Sequence, residues 1–134
     1  MKRCALLFCF LLALLLSACG RSAPADSMAP IHTTELRSGT HQCSADVQIS
    51  GDISPENGAW LTFSVFNHSS GEVYLSIHGD SEHAVPVAPG ESGSITQQLN
   101  SSDKRYFCKA APSAAGGDVT VTYTLTQSTV SPSS

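Results

Sequence analysis

The chain contains 134 residues, of which 41% are apolar, and its mean hydropathy is near zero. This length excludes a multi-domain enzyme and a multi-span membrane protein. Once residues 1–18 are set apart, five basic side chains stand against eleven acidic ones, a net charge of −6 that argues against binding to nucleic acid or to an anionic membrane surface.

Residues 1–18 have the pattern of a secretory signal peptide. Lys2 and Arg3 precede an uninterrupted apolar run from Ala5 to Leu16. A run of this length forms about 18 Å of helix, which is too short for a hydrocarbon core of about 30 Å. The sequence therefore predicts export with removal of this segment.

The apolar run ends in Leu16-Ser17-Ala18-Cys19, which resembles the lipobox of bacterial lipoproteins. The resemblance implies cleavage before Cys19, a diacylglycerol on its sulfur and an amide-linked acyl chain, often palmitate, on its new amine. Such chains hold a protein on a membrane without a spanning helix, because each buried methylene contributes roughly 0.8 kcal/mol. Gly20 in place of Asp implies the outer membrane, with the domain in the periplasm or at the cell surface. An ordinary secretory signal and an uncleaved anchor are the alternatives.

Residues 19–42 are predicted to form the lipidated N-terminus and a flexible tether, because they are rich in small and polar residues. A short edge strand near Ile31 to Leu36 is the alternative for part of this segment. Residues 128–134 are predicted to be a disordered tail.

Residues 43–127 carry apolar residues at alternate positions between frequent turn signals, which is typical of half-buried β-strands. Pro86 indicates an edge strand, since it cannot donate to a ladder. About seven short strands and no long helix predict an all-β fold, a small antiparallel sandwich. The predicted inward positions are Cys43, Ala45, Val47, Ile49, Leu61, Phe63, Val65, Val73, Leu75, Ile77, Val85, Val87, Ile95, Leu99, Tyr106, Cys108, Ala110, Val119, Val121, Tyr123 and Leu125.

Two cysteines remain after the leader and the lipobox, and an exported protein with such a pair is expected to form one disulfide, Cys43 to Cys108. Together with Trp60 and Tyr106, these cysteines resemble the Cys, Trp and Tyr-x-Cys framework of immunoglobulin-like domains. Trp60 departs from that pattern because it lies out of phase with the apolar face of its strand. The resemblance implies an Ig-like sandwich, and a closed barrel of the kind found in lipoprotein lysozyme inhibitors is the alternative.

The segment from His78 to His83 places two imidazoles and two carboxylates at a strand junction, where zinc or copper could bind. Metal binding in the periplasm through His78 and His83 is therefore the alternative function, although the spacing matches no established motif and favours a solvated hairpin tip. Ser92 in Gly90-Glu91-Ser92-Gly93 does not fit a nucleophile elbow, because the second glycine comes one residue early and a strand follows. We expect no enzyme and no cofactor.

These patterns favour a lipid-anchored bacterial envelope protein that acts by binding. Its sandwich is expected to contact another envelope protein or a glycan through sheet edges or loops. Trp60, Phe66 and Tyr74 are the candidate aromatic anchors.

Overall fold

The computed structural model describes residues 30–132, and apart from one 3-10 turn at Pro55–Asn57 all its regular elements are β-strands. No helix in this range is long and apolar enough to span a membrane. The predicted signal peptide, the lipidation site Cys19 and the first part of the tether lie outside the described residues. The all-β prediction is confirmed, with eight strands in place of seven. They are β1 (Thr33–Cys43), β2 (Val47–Asp52), β3 (Trp60–Asn67), β4 (Val73–Ile77), β5 (Val85–Val87), β6 (Ser92–Gln98), β7 (Arg105–Pro112) and β8 (Val119–Ser128).

The strands form two four-stranded antiparallel sheets, named here sheet I and sheet II. Sheet I has the order β1-β8-β3-β6, and sheet II has the order β2-β7-β4-β5. Ladders pair β1 with β8, β2 with β7, β3 with β6 and β4 with β5, as in one long hairpin wound into two layers. This nested order is that of a jelly roll.

The jelly-roll order corrects the Ig-like prediction. The first two strands of an immunoglobulin sandwich are neighbours in one sheet, whereas β1 and β2 lie in different sheets here. The described strands contain no ladder between sheets I and II, so the closed-barrel alternative is not adopted either.

The core lies between the two sheets and follows the predicted alternation. Phe63 of β3 and Leu125 of β8 are fully buried, and the predicted inward faces of β3, β4, β7 and β8 are confirmed. Residues from Ile31 onward form a compact unit of their own. The buried apolar side chains are Val47, Ile49, Leu61, Phe63, Val65, Val73, Leu75, Ile77, Val87, Leu99, Tyr106, Cys108, Ala110, Val119, Val121, Tyr123 and Leu125.

The predicted first strand is in fact parts of two strands. Cys43 ends β1 in sheet I, and the exposed Ala45 lies in the connection. Val47 and Ile49 belong to β2 and are buried in sheet II. Apolar residues continue at alternate positions through the connection, so the period-two pattern does not reveal the change of sheet.

The predicted tether of residues 19–42 is shortened by β1, which is longer than the edge strand considered for Ile31 to Leu36. Residues 33–43 pair with β8 along its whole length, from Thr33 opposite Ser128 to Cys43 opposite Val119. Most side chains of β1 are exposed. Its backbone hydrogen bonds rather than apolar burial hold it to the sheet, and apolar periodicity does not detect such a strand. The predicted tail from residue 128 also begins inside β8, because Ser128 is part of that strand and is buried.

The predicted disulfide is absent from the described part of the chain, where Cys43 and Cys108 are both free thiols. Cys43 is exposed at the end of an edge strand of sheet I. Cys108 lies in β7 of sheet II between Ile49 and Ile77, with 1% of its surface accessible. Burial raises the pKa of the Cys108 thiol to about 12, so this side chain acts as a small apolar group of the core.

Candidate functional site

The outer side of sheet I carries a continuous array of hydroxyl groups. Side chains alternate across a sheet, so the strands that bury apolar residues in the core present serine and threonine outward. We name the outward hydroxyl side chains of β8, β3 and β6 the hydroxyl face. They are Thr120, Thr122, Thr124, Thr126, Thr62, Ser64, Ser92, Ser94 and Thr96.

The register of the three strands arranges these hydroxyls in rows. Ser64 lies between Thr124 and Ser94, and the parallel row places Thr62 between Thr126 and Thr96. Neighbouring strands are about 4.8 Å apart, and outward residues of one strand repeat at intervals of about 6.8 Å. The hydroxyl face is therefore a grid of groups that each donate and accept hydrogen bonds.

Hydrogen bonds between side chains order parts of this grid. Thr62 Oγ1 and Thr96 Oγ1 are 2.9 Å apart. At the other side of the sheet, Thr40 Oγ1 of β1 lies 3.0 Å from Thr122 Oγ1. These bonds fix the rotamers of the threonines and prearrange their remaining hydrogen-bonding capacity toward solvent.

Two aromatic side chains stand at the ends of β3 on the outer side. Trp60 is half-buried, and Phe66 is 38% exposed. The ring of Phe66 contacts His68 with 4.7 Å between centroids, and His68 Nε2 lies 2.9 Å from Thr122 Oγ1. Six residues of strand separate the aromatic groups by about 20 Å. The hydroxyl face is thus bounded by an aromatic group at each end of its central strand.

A shallow depression of about 390 Å³ lies beside Phe66. Its lining combines serine and threonine residues with Phe66. The lining residues are Ser64, Val65, Phe66, Ser92, Gly93, Ser94, Thr122 and Thr124.

The hydroxyl face differs in charge from the outer side of sheet II. Within β8, β3 and β6, no outward position carries an ionisable side chain. On sheet II, by contrast, Lys109 pairs with Asp46 at 3.4 Å and Arg105 pairs with Asp52 at 3.6 Å. Hydrogen bonds from its own backbone amide and from Gln48 hold the pKa of Asp46 below its usual value. The neutrality is therefore confined to β8, β3 and β6, because β1 at the edge of sheet I carries Glu35 and Arg37.

The predicted aromatic anchors separate onto the two sheets. Trp60 and Phe66 lie together on the outer side of sheet I, while Tyr74 is half-buried in β4 of sheet II. The Tyr74 hydroxyl donates to the carboxylate of Glu72, which raises the pKa of the tyrosine. Phe107, 53% exposed on sheet II, was not among the predicted anchors, because a lone aromatic beside basic residues resembles an ordinary strand face.

The two predicted metal-ligand histidines lie at the β4–β5 hairpin. His78 has a φ of 55° and its backbone N–H donates to Phe107 O at 2.7 Å. His83 Nδ1 lies 2.8 Å from Asp80 Oδ2, and this hydrogen bond lowers the pKa of the aspartate. Across residues 30–132, no group of three His, Cys, Asp or Glu side chains is placed to hold a metal ion. Of the predicted ligand groups, the hairpin places the His83 imidazole and the Asp80 carboxylate in contact.

The segment around Ser92 has the predicted local structure. Gly90 adopts a φ of 76° in the turn, and Ser92 begins strand β6 rather than a helix. Its side chain is exposed as part of the hydroxyl face.

Comparison with known proteins shows no matching family model and no matching curated protein. The solved structures that are similar to the chain include a carbohydrate esterase and a lysozyme inhibitor. One is a family two carbohydrate esterase from Cellvibrio japonicus, with 12% identity, a TM-score of 0.41 and coverage of 75% of this chain and 34% of the esterase. The other is PliG of Aeromonas hydrophila, a periplasmic inhibitor of g-type lysozyme, with 13% identity, a TM-score of 0.40 and coverage of 72% and 86%. The chain therefore spans about a third of the esterase, and neither likeness assigns an activity to it.

Proposed function

We propose that this chain is a lipid-anchored protein of the bacterial envelope and that its hydroxyl face binds a neutral glycan. The observation that carries the proposal is the run of outward hydroxyl and aromatic side chains, without ionisable groups, across β8, β3 and β6. The leader and the lipobox at Cys19 support the location at the outer membrane, with the domain in the periplasm.

Glycans match this surface chemically. A sugar ring displays hydroxyl groups that both donate and accept, as serine and threonine do. Its C–H surfaces pack on aromatic rings such as those of Trp60 and Phe66. The depression beside Phe66 has the volume of a small-ligand cleft, which is about 300–1,000 Å³, and it is open along the sheet. An extended chain of sugar units can therefore cross the face from one aromatic group to the other.

The charge of the chain favours a neutral glycan over a charged one. The polypeptide after residue 18 has a net charge of −6, which repels polyanions. Within the hydroxyl face, no basic group is available to pair with a carboxylate or phosphate.

A glycan also fits this face better than another envelope protein does. Protein interfaces are enriched in aromatic residues, methionine and arginine at their centre and depleted in serine. The centre of the hydroxyl face is Ser64, with Thr124 and Ser94 on either side.

Binding assays with matched phenylalanine variants test this proposal. The chain from Gly20 onward contains the whole sandwich, so its retention can be measured by affinity electrophoresis in neutral polysaccharides and by co-sedimentation with an insoluble neutral polysaccharide. A polyanionic glycan serves as the comparison. We expect Phe66→Ala to weaken binding about tenfold, since a sugar ring that covers about 55 Å² of apolar surface on this phenylalanine gains about 1.4 kcal/mol at about 25 cal/mol per Å².

Phe107→Ala is the matched control, because it removes an exposed phenylalanine from sheet II. It is expected to leave binding unchanged, with both variants melting close to the parent protein. Equal losses in the two variants, or retention by the polyanion alone, would contradict a neutral glycan site on sheet I.

The anchor is tested separately by labelling cells with a radioactive fatty acid. We expect incorporation into the protein and its loss in Cys19→Ala. Persistent label in that variant would refute lipidation at this cysteine.

A further inference from the structure

Strand β6 is an open sheet edge without the features that usually protect one. On the opposite edge of sheet I, β1 has a bulge between Glu35 and Arg37, and both residues are charged. In sheet II, β5 has three residues with Pro86 at its centre, and β2 ends in Asp52. β6 has seven residues in an uninterrupted register, with no charge and no proline. A long uncharged edge is a template for pairing with another strand.

The direction of the backbone groups of β6 follows from its ladder with β3. Asn67 N donates to Glu91 O at 2.9 Å. Leu99 N donates to Ala59 O at 2.7 Å. Both bonds join residues that lie directly opposite each other, so the odd-numbered residues of β6 direct their N–H and C=O groups to β3. The intervening residues direct theirs to the open edge, and they are Ser92, Ser94, Thr96 and Gln98.

We propose that a second copy of this chain pairs with this edge, β6 against β6, antiparallel about a two-fold axis at Ile95. In this register Ser94 lies opposite Thr96 of the second copy, and Ser92 lies opposite Gln98. The four residues of each copy whose backbone groups face the open edge then lie opposite the same four residues of the other copy. Their N–H and C=O groups form about eight hydrogen bonds between the copies. A two-fold interface needs a surface that is complementary to itself. β6 meets this condition, because each residue whose backbone groups face the open edge lies opposite another such residue of the second copy.

The charge distribution selects β6 as the edge at which two copies can pair. Two chains of net charge −6 repel each other, and the other edges place carboxylates such as Glu35 and Asp52 at the contact. β6 brings only neutral side chains to the contact, and cross-strand serine and threonine pairs stabilise antiparallel strands.

Pairing through β6 also joins two hydroxyl faces. Ser94 and Thr96 are outward on sheet I, so two copies form an eight-stranded sheet with one continuous hydroxyl surface. The doubled ligand surface rests on the proposed function, but the pairing itself does not. The test is therefore made without glycan.

Sedimentation equilibrium of the chain from Gly20 onward measures the pairing. We expect a monomer–dimer equilibrium, weakened at least tenfold by Thr96→Pro, which removes an N–H from the open edge. Proline is accepted on an edge strand where the N–H faces solvent, so the variant should keep its fold, as checked by thermal melting. Thr96→Ala is the matched control, because it removes the hydroxyl and keeps the N–H, and it should weaken the dimer clearly less than Thr96→Pro does.

Cross-linking gives a second readout at the proposed axis. In a Cys43→Ser background, Ile95→Cys should form a disulfide dimer under mild oxidation, because directly opposed residues have Cβ atoms about 4.5–5.5 Å apart. Thr62→Cys in the central strand β3 should not. A chain that stays monomeric at millimolar concentration, an unchanged dimer in Thr96→Pro, or the absence of a cross-link in Ile95→Cys would each overturn the proposal. So would a monomer that binds an extended peptide along β6 in place of its own copy.

Discussion

Gln127 provides a quantitative test of how β8 is joined to the loop between β2 and β3. Its side chain is fully buried. Nε2 donates to Ser54 O at 2.8 Å and to Gly58 O at 2.6 Å, while Oε1 has no hydrogen-bond partner in the described residues. Gln127→Met keeps the length of the side chain and removes both donors.

The expected cost follows from these three atoms. Each carbonyl that loses its partner costs about 1–2 kcal/mol, because both sites are partly buried. Removal of the unpartnered Oε1 returns about 1 kcal/mol. We therefore expect Gln127→Met to lower the free energy of unfolding by about 2 kcal/mol.

Urea unfolding of the chain from Gly20 onward measures this change as a lower midpoint at constant slope, a shift of about 1 M for a slope near 2 kcal/mol/M. Gln42→Met is the matched control, since Gln42 is exposed on β1. It should change stability by less than about 0.5 kcal/mol. Equal losses in the two variants would refute the inferred role of the Gln127 amide.

Three further predictions concern the thiols, the hairpin and a close contact in sheet II. In the chain from Gly20 onward, a thiol reagent should modify Cys43 rapidly and Cys108 only after unfolding, since the Cys108 thiol is buried with a pKa of about 12. A reductant should leave the melting temperature unchanged, and a lower melting temperature in reductant would reveal a disulfide between the two cysteines. His78→Asn should raise the free energy of unfolding, measured in urea, by about 0.5–1 kcal/mol, because asparagine adopts a positive φ more readily than histidine does. Destabilisation would show that the imidazole makes a necessary contact. Gly51→Ala should destabilise by about 1–3 kcal/mol, since its Cβ would lie 2.3 Å from the Tyr106 hydroxyl oxygen; a neutral effect would mean that this ring moves freely.

The inward faces of the central strands were predictable because burial follows a local pattern. Phe63 and Leu125 alternate with polar neighbours, and each pattern is complete within a few residues of chain. β1 was not predictable in full, since it has few apolar side chains and is held by backbone bonds to β8. Cys43 was misassigned for the same reason: composition pairs it with Cys108, whereas its actual neighbour in the ladder is Val119.

The candidate site was predictable in its parts and not as a surface. The alternate threonines of β8 indicate an outward polar face, and Trp60 and Phe66 were expected anchors. Their combination with Ser94 of β6 depends on the strand order, and β3 and β6 are separated by two strands of sheet II along the chain. Tyr74 was an equally good candidate anchor by sequence, but it lies in β4 of the other sheet.

The sequence by itself determined the all-β class and most inward positions of the core strands, because the side-chain period of a strand is a property of neighbouring residues. It left open which strands would become neighbours. Tertiary structure decided the jelly-roll order, the separation of Cys43 from Cys108 and the assembly of the hydroxyl face, because each depends on pairing between residues far apart in the chain. Such pairing is selected by the packing of both sheets at once, and no local period encodes it.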